Sequence, residues 1–225
     1  MKADNKVAVV ALRALPIFAS LSEEKLAAVA QVAALRSVPR HGVVVSAGEN
    51  IDSVYLVLSG VLKVVIGDQE GREVILSMLG PGDLFGEMGA IDERPRSATV
   101  QATAESSLVV IAQTEFQRCM AENAEVALHV MRNLVKRLRA ADRKIESLSL
   151  LDVYGRVARV LLDLADDRQG RKVVTRRITR QDISQMVGAS REMVSRVMRD
   201  LQLRGLIEEK DGLIWLCDEI DTARQ

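Results

Sequence analysis

The chain has 225 residues, 48% of them hydrophobic and only 3% aromatic, with 31 basic residues balanced by 31 acidic ones. That length buries one or two ordinary cores, and the zero net charge means that any nucleic-acid surface must come from local segregation of charge. No apolar run approaches the roughly 20 residues that a membrane-spanning helix needs. The first residues lack the basic, apolar and small-residue regions of a secretory leader, so a cytoplasmic, membrane-free protein is expected. Cys119 and Cys217 are too few and too far apart for a four-thiolate metal or iron–sulfur site, and reduced structural thiols with no metal are expected.

In chain order, residues 7 to 35 read as helices, with Ser22-Glu23-Glu24-Lys25 as a helix start before the run Leu26 to Leu35. From Val38 to Val110 the texture changes to short β-branched runs: Gly42 to Val45, Val54 to Leu58, Leu62 to Ile66, Val74 to Met78, Ala98 to Ala102 and Ser107 to Ile111. Glycines 48, 60, 67, 71, 80 and 82 punctuate them, which suits an antiparallel barrel or sandwich. From Thr114 the period predicts one long helix. Met131, Leu134, Leu138, Ala141, Ile145 and Leu148 alternate spacings of three and four, an a/d seam flanked by charge, and a homodimer through this helix is expected. From Asp152 the chain reads as helical up to a basic cluster. Between Arg171 and Arg204 nine basic residues stand against three acidic ones.

Within that cluster, Thr179 to Arg196 reads as two short helices joined at Gly188, the second rich in arginine: a helix-turn-helix. Ser190 is a helix N-cap, and Val194, Val197, Met198 and Leu201 form the apolar stripe behind it. Arginine suits the O6 and N7 acceptors of guanine and a carboxylate suits the N4 donor of cytosine, so Arg191, Glu192 and Arg196 could read a half-site in a major groove. Glu192 could equally complement the helix dipole. Thr179, Arg180, Gln181 and Ser190 are better placed for phosphates. Asp211-Gly212 between two apolar runs signals a two-residue hairpin, and with it the module becomes a winged helix.

The stretch Phe85 to Val100 groups a glycine, a carboxylate, a guanidinium and a hydroxyl in apolar surroundings, as a pocket for a phosphorylated sugar would. Gly86 lets backbone approach closely, Arg96 can pair with phosphate bidentately, Ser97 adds a hydroxyl and Glu87 can accept from the sugar. On residues alone, Glu87 and Arg96 could instead pair across a hairpin.

The string Phe85-Gly86-Glu87, followed by Pro95-Arg96-Ser97-Ala98-Thr99-Val100, resembles the phosphate-binding cassette of cyclic-nucleotide-binding domains. Ser190-Arg191-Glu192 with Arg196 resembles a recognition helix that reads TGTGA-type half-sites. Together they make residues 15 to 216 similar to the catabolite-activator (CRP/FNR) family of bacterial transcription regulators. The resemblance implies an α+β chain in three parts: a cyclic-nucleotide-binding β-barrel (jelly roll) over 1–113, a dimerisation helix over 114–150 and a winged helix-turn-helix over 151–225. It implies that Gly86, Glu87, Met88, Arg96, Ser97 and the backbone of Ala98 hold the cyclic phosphate and ribose, with the base facing the long helix. Where cAMP-responsive members carry a Thr-Ser pair on that helix, this chain has Ala141 and Asp142. Arg139 and Asp142 resemble instead the Arg-x-x-Asp pairs that read guanine in c-di-GMP sites.

The implied effector is a cyclic nucleotide, cAMP first and c-di-GMP second. The implied partners are a palindromic double-stranded operator, a second copy of the chain and RNA polymerase, although the loop 166–170 is shorter than the polymerase-contacting region of the family's best-known activator. A regulatory subunit acting on a partner enzyme, a different effector or none remain open as alternatives; with only His41 and His129 as imidazoles, haem sensing has little support. Catalysis has none, for the sequence holds no defensible nucleophile–base pair, metal-ligand spacing or Walker-type loop.

Overall fold

A computed structural model describes residues 7–50, 52–168, 170–175, 177–217 and 220. Gln169 of the predicted loop and Arg176 of the basic cluster lie outside the described residues. The chain divides into two compact units, Met1–Lys136 and Arg137–Gln225, each with its own core.

The first unit opens with α1 (Val9–Arg13), a 3-10 turn (Pro16–Phe18) and α2 (Glu23–Val32), whose N-cap Ser22 accepts from Lys25 N. Two antiparallel four-stranded sheets follow, giving the expected jelly roll. One has the order β1 (Ala33–Val38), β8 (Ser106–Ala112), β3 (Ser53–Ser59), β6 (Leu84–Phe85). The other runs β2 (Val43–Val45), β7 (Thr99–Ala102), β4 (Leu62–Gly67), β5 (Glu73–Leu79). Strand β3 explains why its sequence is apolar without alternation. Tyr55 and Val57 face the interior between the sheets, while Val54 and Leu56 join the cluster that packs the helices onto the outside, so both faces are buried.

Two expectations for this unit are corrected. The helix predicted through Leu35 ends at Val32, because Ala33, Ala34 and Leu35 pair with Ile111, Val110 and Val109 and become the start of β1. The single helix predicted from Thr114 is two, α4 (Gln113–Glu122) and α5 (Ala124–Leu150). Asn123 between them has an extended backbone, with φ −137° and ψ 95°. Its buried amide donates to Cys119 O at 2.9 Å and its Oδ1 accepts from Lys25 Nζ at 2.5 Å, so side-chain bonds hold the break. Cys119 is half-buried, and that burial pushes its thiol pKa up, as expected of an inert structural thiol.

The second unit begins within α5 and continues with α6 (Val153–Leu164), capped by Asp152, whose carboxylate accepts from Gly155 N at 2.8 Å. Here too the helical reading stops early. Where a loop was expected over 166–170, Asp166–Arg168 form β9, which pairs antiparallel with β10 (Arg171–Val174). Helices α7 (Arg180–Val187) and α8 (Arg191–Leu203) then precede β11 (Ile207–Lys210) and β12 (Leu213–Leu216), and the sheet order is β11-β12-β10-β9. Asp211 and Gly212, which join the last two strands, both have positive φ, 55° and 74°, the conformation a type I′ turn requires.

Candidate functional site

In the first unit the chemistry gathers around Arg96. Its side chain is buried, with 7% of its surface exposed, a level at which an arginine must be held by acceptors. Nη1 donates to Gly86 O at 3.1 Å and Nη2 to Ser53 O at 2.6 Å. Asp52 Oδ1 lies 3.5 Å from Nη2, and the guanidinium carbon sits 5.7 Å from the centre of the Tyr55 ring, which itself stacks on Phe85 at 5.0 Å. The main chain of Arg96 is fixed as well: its N–H donates to Glu49 O at 2.9 Å and its carbonyl accepts from Gly48 N at 2.8 Å.

The other residues expected here come from the same two segments. Gly86, with φ 84°, caps the six-residue α3 (Glu87–Asp92), and Glu87 in its first turn is 2% exposed. Met88 is exposed, Ser97 is exposed and Ala98 is half-buried in the bend leading into β7. Asp52, Ser53 and Tyr55 escaped the sequence reading. Their approach follows from the antiparallel pairing of β3 with β6, Tyr55 opposite Phe85, which no local motif encodes. Glu49, also missed, has its carboxyl pKa lowered chiefly by accepting from Ser46 N, with a smaller contribution from Arg96.

Arg139 and Asp142 are exposed on α5, in the second unit. The same helix leaves much of its predicted seam uncovered in a single chain: Met131 is 53% exposed, Leu138 63%, Ile145 64% and Leu148 48%. Leu134 is partly covered by the core of the first unit.

The helix-turn-helix forms where the sequence puts it. Thr179 and Asp182 make a capping box at the start of α7, Gly188 ends that helix at φ 67°, and Ser190 Oγ accepts from Met193 N at 3.2 Å to open α8. Burial of Val194, Val197, Met198 and Leu201 turns Arg191, Glu192, Arg196 and Arg199 outward. Gln181 is exposed, whereas Arg180 forms an ion pair with Glu209 of β11.

Residues 35–123 match the cyclic nucleotide-binding domain family, and residues 155–219 match the Crp-like helix-turn-helix domain family. The chain is 36% identical over 177 residues to the cAMP-activated global transcriptional regulator Vfr of Pseudomonas aeruginosa, spanning 74% of this chain and 81% of that protein. It is 32% identical over 213 residues to the CRP-like cAMP-activated global transcriptional regulator of Mycobacterium tuberculosis, spanning 93% and 95%. The solved structure of the c-di-GMP responsive global regulator CLP of Xanthomonas campestris superposes with a TM-score of 0.70 at 28% identity, covering 86% of this chain and 96% of that one. The fold and site thus define a transcription regulator with a cyclic-nucleotide-binding domain and a DNA-binding helix-turn-helix, not an enzyme. The chain belongs to the CRP/FNR family.

Proposed function

We propose that the protein is a cytoplasmic homodimer whose grip on a palindromic operator is controlled by a cyclic nucleotide in the barrel. The buried guanidinium of Arg96 beside the Cβ-free Gly86 carries this reading, because a buried arginine next to backbone that allows close approach suits a cyclic phosphate. Glu87 accepts from the ribose hydroxyls, and Met88, Ser97 and the Ala98 backbone complete the cradle. Arg139 and Asp142 meet the base. cAMP is the first candidate, supported by the cAMP-activated relatives. c-di-GMP is the second, favoured by the Arg139 and Asp142 pair and by the likeness to CLP.

Residues 1–113 form the nucleotide domain, 114–150 the dimerisation segment and 151–225 the DNA module. The exposed apolar seam of α5 supports the dimer. Arg191, Glu192 and Arg196 read base edges of a TGTGA-like half-site, and Thr179, Arg180, Gln181 and Ser190 serve phosphates. The hydroxyls of Thr179 and Ser190 already cap their helices, so their share is the smaller one. Half-site centres lie about 34 Å apart, one helical turn. At a promoter the dimer recruits or blocks RNA polymerase.

Titration calorimetry with cAMP, cGMP and c-di-GMP, on the native protein and on Arg96→Ala, tests the effector. The expected result is heat with cAMP that disappears in Arg96→Ala. Absence of heat with every nucleotide refutes the control mechanism and leaves a constitutive operator binder.

A further inference from the structure

A hairpin that flanks a recognition helix comes close to the DNA polyanion, yet this one carries acid. Strand β11 reads Ile207-Glu208-Glu209-Lys210, and each of its two carboxylates faces an arginine, one of them the Arg180 assigned to phosphate above. Arg180 Nη2, on the first residue of α7, donates to Glu209 Oε1. Those side chains are 28% and 36% exposed, so the pair is partly withdrawn from water. Beside it, Glu208 Oε2 stands 3.9 Å from Arg171 Nη2, whose guanidinium lies 5.0 Å from the Trp215 ring centre. That second pair is looser and more exposed, at 61% for both partners.

We propose that Glu209 is a built-in competitor for DNA phosphate, occupying the Arg180 guanidinium until a phosphate displaces it. The inference rests on the phosphate role given to Arg180 above. A carboxylate and a phosphodiester offer a guanidinium the same pair of acceptor oxygens, so one replaces the other at the same donors. Binding at this point is an exchange of anions. The displaced Glu209 then faces the DNA and takes up a cation, which offsets one of the counterions that the duplex releases. Affinity falls for all sequences alike, and base discrimination is left to α8.

The test uses the full chain and a duplex of random sequence, because the effect is independent of sequence. Mobility shifts over a salt series compare the native protein, Glu209→Gln, Arg180→Ala and the double variant, with thermal melts to show that all are folded. Glu209→Gln is expected to bind about two- to fivefold tighter, the range a surface ion pair supports. Its plot of log affinity against log salt steepens by about 0.9, one phosphate's worth. In the Arg180→Ala background the gain shrinks. An equal gain in both backgrounds assigns Glu209 to plain repulsion and overturns the proposal. No gain from Glu209→Gln, with Arg180→Ala still weakening binding, overturns it while leaving the phosphate contact intact. If Arg180→Ala binds as the native protein does, the phosphate contact itself fails and the competitor falls with it.

Discussion

At residue 86 two demands coincide. The backbone φ of 84° disfavours any side chain, and a Cβ built there would stand 2.4 Å from Arg96 Nη1 and 3.3 Å from Ser53 O. A left-handed non-glycine residue costs roughly 1–2 kcal/mol, and the close approach would in addition push the guanidinium off its two carbonyls. Gly86→Ala is therefore expected to lower the melting temperature modestly and to weaken cAMP binding by about tenfold or more, equivalent to about 1.4 kcal/mol. Calorimetry beside a thermal melt reads both, and unchanged affinity would remove Gly86 from the cradle. Both Gly86 and Arg96 were legible because the cassette is a contiguous string. Asp52 and Ser53 were not, since they reach Arg96 only through strand pairing across more than forty positions of sequence.

Among the elements, α5 offers the clearest test. Leu138 is 63% exposed in one chain, so replacing it should leave the protomer intact while placing charge in any seam between two copies. The native protein is expected to sediment as a dimer and Leu138→Glu as a monomer at the same concentration, with helix content unchanged; a variant that stays dimeric removes this helix from the interface. The helix-turn-helix and the last hairpin were readable from the sequence because caps and turns announce them locally: Thr179 with Asp182, Gly188, Ser190, Asp211 with Gly212. Three boundaries were not. Ala33-Ala34-Leu35 has helical propensity that the ladder to β8 overrides. The break at Asn123 carries no glycine or proline, and one of the two bonds that hold its side chain comes from the remote Lys25. Strand β9 is exposed throughout, so it has no apolar alternation to detect.

For the whole molecule, the proposed control is a linkage between nucleotide and operator. Thermodynamics requires the two to be reciprocal: whatever factor cAMP adds to operator affinity, the operator duplex must add to cAMP affinity. Titrating each ligand in the presence and absence of the other checks this, and unequal factors would rule out a single linked equilibrium. Under this proposal the communication follows α5, whose described residues belong to both compact units. Its root is fastened by Val126 and Val130 in the first core and by the contact from Lys25 Nζ to Asn123 Oδ1, 2.5 Å across 98 positions. A hydrogen bond is directional and has little reach, and about an ångström of added length abolishes it. The root of the long helix is thus an anchor set in the first core by side-chain packing and by a bond from a distant helix, so whatever travels along it starts from a fixed end.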